Sequence, residues 1–305
     1  MIILTLGGGL GNQMFQYAFA RELQEQCGEE IKIVYNDLRN AGHELHFLEL
    51  FNIPDNVRSC TREEEEYYWK KQNRLKKLIA LQLKFFPNKA TKRVRFFSKY
   101  FNIFHPFCVY SCEEYVLNKG KLKLVLGGYQ TWKYWNRMSE KIKSELRIAK
   151  EPLKEDMPLL EEMQKCESVC VHVRRGDYVN DPVWKHLNIC NEKYYQDAMK
   201  LMSRKVKNPV FYLFSNNHEE LEWIKENYHF EGYEVRYVDQ DHPDYEELRM
   251  MYTCKHFIIS NSTFSWWGQY LSENTEKVVI APSEWNREEN ATDIYMPSWH
   301  VVEVE

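Results

Sequence analysis

Short apolar runs alternate with segments of helical period along most of this chain. Ile2, Ile3 and Leu4 precede a glycine-rich turn at 7–11, and Met14, Phe15, Ala18 and Leu23 then recur at helical spacing before a second apolar run at 31–35. That order predicts a βαβ unit. An apolar run at 122–126 ends in Gly127 and Gly128, and a helix is expected over 132–146, so the first half reads as α/β but irregular. From Ser168 onward the pattern is cleaner, predicting strands at 168–173, 210–214, 234–238, 256–259 and 277–281, with helices near 192–205, 219–228, 243–253 and 264–272. Strands that alternate with helices imply a parallel, doubly wound sheet. Pro152 and Pro158 bracket a charged, linker-like stretch, which predicts two α/β domains, 1–150 and 151–305.

Composition narrows the classes. With 44% hydrophobic and 15% aromatic residues the chain can pack a core and does not resemble a disordered one. A net charge of -4 argues against a nucleic-acid partner. The charge is uneven, however: from Tyr67 to Cys112 there are eleven Lys or Arg and no Asp or Glu, so this segment is +11 and the rest of the chain -15. Lys and Arg there mix with Leu, Ile and Phe, a pattern that fits an anionic membrane surface or simply a solvated helical face. The eight cysteines contain no CxxC pair, which suits reduced thiols in a cytosol. The apolar start lacks a basic leader region and falls far short of the about 20 residues of a membrane span, so a cytoplasmic protein is expected.

In a doubly wound sheet, ligands bind beyond the carboxyl ends of the strands. Those ends carry His172, Arg174, Arg175 and Asp177, then Ser215, Asn216 and Asn217, then Asp239, then Ser260, Asn261, Ser262 and Thr263. Two arginines ending a buried strand need an anion. A diphosphate suits them because guanidinium forks bind phosphate oxygens bidentately, while a salt bridge to Asp177 or a nearby glutamate is the structural alternative. Ser262 and Thr263 open an apolar helix, so they read either as a plain N-cap or as an anion-facing turn.

Two motifs point elsewhere. Gly9 and Gly11 follow a strand and Asp37 ends the next, as in a dinucleotide fingerprint, although Met14 takes the place of the third glycine. Gly11 also reads as a turn glycine that lets backbone approach a ligand. Asp239 and Asp241 form a literal DxD, a motif that can hold a metal in sugar transferases.

Three blocks then stand together: 8–18 with Gly11, Asn12 and Gln13, 172–178 with His172, Arg174, Arg175 and Asp177, and 261–268 with Asn261, Ser262, Thr263 and the Trp266-Trp267-Gly268 run. In that order, across nearly the whole chain, they resemble the bacterial α-1,2-fucosyltransferases of glycosyltransferase family eleven. The Gly-Asn-Gln and His-x-Arg elements are also similar to those of α-1,6- and protein O-fucosyltransferases. The resemblance implies a GT-B-like α/β fold of two Rossmann-type domains with the donor in the cleft. It implies inverting, metal-independent transfer of fucose from GDP-fucose to the 2-hydroxyl of a terminal galactose-type residue, on an oligosaccharide or a lipid-linked glycan. Arg175 and Arg174 would then hold the β-phosphate, His172 and Ser262-Thr263 would meet the nucleotide or diphosphate, and Asn12 would face the same cleft. Asp177 is the choice for the acceptor's base, with orientation of an arginine as its alternative role. Asn216 and Asn217 stand where many relatives have an acidic pair. Lipid-linked glycans also give the basic segment 67–112 a reason to dock on the inner face of a membrane. Alternatives are another GDP-sugar or fucosyl linkage, a metal-dependent transferase using Asp239 and Asp241, a nicotinamide-dependent oxidoreductase using the glycine turn and Asp37, and a non-catalytic nucleotide-sugar binder.

Overall fold

The apolar run at the start of the chain is a strand in the computed structural model, which describes residues 1–42, 46–85, 90–106, 108–238, 242–288 and 291–304. The first unit comprises Met1–Ala149 with Thr292–Ile294. It runs β1 (Ile2–Thr5), α1 (Leu10–Cys27), β2 (Ile31–Val34), two short helices α2 (Asn36–Asn40) and α3 (Phe47–Leu50), β3 (Val57–Ser59), α4 (Arg62–Phe85), α5 (Ala90–Phe101), β4 (Ile103–Phe104), β5 (Lys123–Val125) and α6 (Ser139–Glu145). Its sheet has the order β3-β2-β1-β5-β4, and every pairing is parallel.

Helix α1 lies in this core, and Met14, Phe15, Ala18 and Leu23 are fully buried as their spacing predicts. It stops at Gly28, whose left-handed backbone lets its N–H reach the Gln24 carbonyl at 2.7 Å. Strands β3 and β4 have three and two residues, too short to register as a periodic pattern. The helix expected over 132–146 is broken. Two tight turns, Trp132–Tyr134 and Asn136–Met138, precede α6, and they turn Tyr134 and Trp135 inward, with Trp135 packed edge-on against Phe15 at 5.5 Å. Burial of two large rings outweighs regular helix here.

The second unit comprises Lys150–Ala291 with Tyr295–Glu305. Its elements are α7 (Met157–Lys165), β6 (Glu167–Val173), α8 (Gly176–Asn180), α9 (Glu192–Lys205), β7 (Pro209–Ser215), α10 (His218–Asn227), β8 (Glu234–Tyr237), α11 (Asp244–Thr253), β9 (His256–Ile258), α12 (Thr263–Leu271), β10 (Val279–Pro282) and β11 (His300–Val302). The sheet order is β11-β10-β9-β6-β7-β8, parallel throughout. Both sheets are therefore Rossmann-type, the content expected of a GT-B-like chain. Buried runs such as Val169–Val173 and Val210–Ser215 read as continuous apolar stretches because both faces of a parallel sheet are covered.

Segment 292–294 groups with the first unit rather than the second. Thr131 Oγ1 donates to the Asp293 carbonyl at 2.8 Å, and Lys133 Nζ meets Asp293 Oδ1 at 2.5 Å. A boundary read from composition along the chain cannot register three residues recruited by such local hydrogen bonds.

Candidate active site

Strand β6 pairs with β7 on one side and β9 on the other, so His172, Val173 and the two arginines leave the sheet between Ser215 and the 260–263 turn. The strand ends are tied by tyrosines from α9. Tyr194 OH donates to the Ile259 carbonyl at 2.6 Å and Tyr195 OH to the His172 carbonyl at 3.2 Å, both from buried positions. These hydroxyls position the site and carry no motif in the sequence.

Most of the polar candidates turn out to be occupied within the unit. His172 is 1% exposed, with Nδ1 3.1 Å from Ser260 Oγ. Burial, and then the Arg174 charge, pull its pKa down to about 3. It is a neutral imidazole at physiological pH, able to exchange a hydrogen bond but not to supply positive charge. Asn261 donates to the Leu187 and Trp285 carbonyls at 2.9 and 3.0 Å and clamps two loops. Ser215 Oγ donates to the Val173 carbonyl at 3.1 Å. Ser262 caps α12, accepting from Phe264 N at 3.3 Å, and Thr263 begins that helix. Gly268 in the same helix is needed for packing, since a Cβ there would lie 3.1 Å from Met251 Cε and 3.2 Å from its Cβ.

The arginines differ from each other. Arg175 Nε binds Glu220 Oε2 at 2.7 Å, both side chains being almost buried, and its guanidinium stands 3.3 Å above the Trp223 ring. Its backbone N–H donates to Asn216 Oδ1 at 2.8 Å. Asn217 caps α10, accepting from Glu220 N at 2.9 Å. Glu220, one turn after Asn216, is thus the carboxylate that meets Arg175, a pairing only the turn of α10 reveals. Arg174 is looser. Its Nη2 approaches Asp177 Oδ1 at 2.7 Å, its guanidinium lies 5.4 Å from the Tyr178 ring, and among the described residues its buried Nε has no hydrogen-bond partner. A buried guanidinium N–H left unmade is destabilising by about 1–3 kcal/mol, which an anion at this position would relieve.

Glu247, in the first turn of α11, is a further group that periodicity did not single out. Burial, and secondarily Asp244, push its carboxyl up to about 8 against an opposing influence of Arg174. The raised value means that the folded state keeps a proton that the unfolded chain releases above the ordinary glutamate range. Stability therefore falls as pH rises from about 4.5 to about 8. Glu247→Gln is expected to unfold like the parent at pH 4.5 and to be more stable on the order of 2 kcal/mol at pH 8, read from urea midpoints. Equal midpoints at both pH values would count against it.

Gly11 and Asn12 belong to the first unit. Gly8 has φ +76°, a left-handed conformation, and a Cβ there would meet Asn12 Nδ2 at 2.6 Å. Gln16 closes the turn by accepting from Gly7 N at 3.0 Å and donating to its carbonyl at 3.2 Å, while Gln13 Nε2 donates to the Gly8 carbonyl at 3.0 Å. Asn12 Oδ1 accepts from Gln130 Nε2 at 3.1 Å. The glutamines of this block therefore shape the turn. Met14, in the third-glycine place, is fully buried, and Asp37 Oδ1 accepts from Trp69 Nε1 at 3.0 Å. Both features weigh against a dinucleotide site. Asp239, Gln240 and Asp241 lie outside the described residues.

Comparison with known proteins completes the description. The family model for glycosyl transferase family 11 matches residues 1–303. An alpha-1,2-colitosyltransferase from Escherichia coli is 29% identical over 99% of this chain and 99% of its own. A galactoside alpha-(1,2)-fucosyltransferase 1 from Saimiri boliviensis boliviensis is 29% identical over 52% of this chain and 46% of its own. Among solved structures, the fucosyltransferase NodZ from Bradyrhizobium aligns over 88% of this chain and 92% of its own, with a TM-score of 0.48 at 11% identity.

Proposed function

Since the chain belongs to glycosyl transferase family 11, we propose that it moves L-fucose from GDP-fucose to the 2-hydroxyl of a terminal galactose-type residue, with inversion and without a metal. The observation that carries the reading is the arginine pair at the end of β6, and above all Arg174, whose buried Nε lacks a partner among the described residues. A diphosphate offers what that guanidinium needs. As the sugar leaves, negative charge grows on the β-phosphate, and preorganised cations stabilise it more than they stabilise the bound substrate. Arg175, braced by Glu220 and Trp223, is held rigid for this task, and Arg174 adapts to it. Neutral His172, the Ser262-Thr263 turn at the start of α12, and the Ser215 and Asn261 hydroxyl and amide supply hydrogen bonds or hold their neighbours in place.

A β-linked donor and an α-linked product require one in-line displacement through an oxocarbenium-like state, with a base for the acceptor hydroxyl. Asp177 is the candidate base, but its contact with Arg174 suits an orienting role equally well. The acceptor is a galactose-terminated oligosaccharide or lipid-linked glycan in the cytoplasm. Among the described residues no helix is long and apolar enough to cross a membrane.

Colitose is the second reading, because the full-length relative from Escherichia coli bears that name. Colitose is fucose without its 3-hydroxyl. A site built to hydrogen-bond that hydroxyl rejects the deoxy sugar by about 10⁴-fold, whereas an apolar pocket does not. Purified protein incubated with GDP-fucose, GDP-colitose and a panel of galactosides distinguishes the two. An α-1,2-fucoside by NMR, formed at full rate in EDTA, is the expected product; a β anomer or another linkage would overturn the mechanism or the assignment. Protection from heat by GDP but not by NAD would remove the oxidoreductase alternative.

A further inference from the structure

Helix α5 has two unlike faces. Val94 and Ser98 are buried, and Phe97 packs on the cluster of Ile103 and Leu126. Ser98 Oγ accepts from Val116 N at 2.9 Å, and Asn118 Nδ2 donates to the Lys99 carbonyl at 2.8 Å, so the last turn of the helix is tied down. Away from these contacts Phe96 and Tyr100 are 47% and 60% exposed, and at the helix end Phe101, one turn beyond Phe97 and 5.9 Å from it, is 56% exposed. Phe96 joins them, its centroid 5.0 Å from that of Tyr100 and 5.9 Å from that of Phe101. Single exposed aromatics are ordinary, but three gathered around Phe96 on a fixed helix make an apolar patch of the kind that marks an interaction surface.

Cations flank the patch. Lys99 Nζ lies 4.9 Å from the Tyr100 centroid, and Arg95, itself exposed, pairs with the exposed Glu114 at 2.7 Å. The helix belongs to the 67–112 segment, which has no acidic residue. Aromatic rings that stop at the headgroup layer, beside Lys and Arg, are the composition of helices that lie in a membrane interface. The remaining chain carries a net charge of -15, so the 67–112 segment is where an anionic surface finds positive charge concentrated. A second copy of the same patch would set like charges against each other, and a soluble polyanion would leave the three rings in water. An anionic bilayer satisfies both halves of the pattern.

We propose that the Phe96, Tyr100 and Phe101 face of α5 is a docking surface for an anionic lipid bilayer, with the rings in the headgroup layer and Arg95 and Lys99 against lipid phosphates. This narrows the broad basic segment 67–112 to one helix face. It does not depend on the donor or acceptor assigned above, because binding is read without turnover.

Co-sedimentation of the full chain with phosphatidylcholine vesicles, with and without 30% phosphatidylglycerol (about one lipid in three, enough to set a surface potential), tests it. The protein is expected to partition at least tenfold more onto the anionic vesicles at low salt and to come off as salt rises. The triple variant Phe96→Ser, Tyr100→Ser, Phe101→Ser is expected to lose about tenfold of that partition, and Lys99→Glu several-fold, with thermal unfolding unchanged in both. No binding of the parent at low salt, equal binding to neutral vesicles, or parent-like binding of a folded triple variant would each overturn the proposal. The last of these would mean that the basic segment attracts polyanions without seating the rings. Should the triple variant fail to fold, Lys99→Glu and Phe96→Gln singly decide by the same readout.

Discussion

Arg174→Ala is expected to lower kcat/KM for sugar transfer by about a thousandfold, the scale of removing one group that stabilises developing charge, and to leave the unfolding midpoint almost unchanged. The reason lies in how little the protein uses this side chain: one ion pair to the half-exposed Asp177 and a ring contact to Tyr178. Arg175→Ala should lose activity on the same scale and lose stability as well. It strands Glu220, which is almost buried, and leaves a carboxylate without its cation, a change that costs about 3 kcal/mol. Glu220→Gln separates chemistry from folding. It breaks the same ion pair and keeps the cation, so activity retained well above that of Arg175→Ala is expected if the guanidinium itself acts on the donor. Steady-state kinetics and urea unfolding on the three variants read both quantities. A stable, fully active Arg174→Ala protein would end the anion-clamp reading.

The largest effect on stability is expected far from the arginines, from Glu145→Ala. Glu145 ends α6 and is the acceptor for a group of α1 side chains. Tyr17 OH reaches it at 2.7 Å, Arg21 Nε at 2.8 Å and Arg21 Nη2 at 2.5 Å, and all three residues are buried. Gln24 takes the remaining contact of Arg21. Loss of the carboxylate leaves an arginine charge in the core, which is destabilising by about 4 kcal/mol, a large share of the roughly 5–15 kcal/mol that holds a domain together. Tyr17→Phe removes one hydrogen bond only and should cost about 1 kcal/mol. Replacing the pair together, Arg21→Met with Glu145→Leu, should recover most of the loss, since an apolar pair of similar volume avoids the desolvation that the ions suffer. Urea midpoints at neutral pH measure all three. An alanine variant within about 1 kcal/mol of the parent would show that the pair is hydrated in solution.

Helix α1 links this network to the glycine turn. Its buried face bears Arg21 near one end and Gln13 and Gln16 near the other, and the glutamines hold the Gly7 and Gly8 carbonyls. From the sequence, Gly9, Gly11 and the glutamines read only as a motif whose ligand was open between a nucleotide sugar and a nicotinamide. Side-chain geometry ties the glutamines to the turn's own backbone, and the Trp69 contact engages Asp37, neither of which spacing could indicate.

The alternation of apolar and helical segments was sufficient for the sequence to determine the βαβ opening of the first unit, the parallel sheet of the second, and the polar residues at its strand ends, the arginine pair among them. Burial on both faces of a parallel sheet imposes a continuous apolar run, and a run that must stop at polar residues marks its own end. Tertiary structure alone decided the partners of those polar residues. Glu220, Trp223, Tyr194, Tyr195 and Glu247 come from helices whose register against the sheet is set by packing. The three-residue grouping at 292–294, the short edge strands β3, β4 and β11, and the broken helix before α6 likewise rest on contacts between residues distant in the chain. Local spacing carries no trace of a contact whose two halves lie far apart in the chain, and for that reason Arg174 and its neighbour Asp177 were legible while Glu220, 45 residues from Arg175, was not.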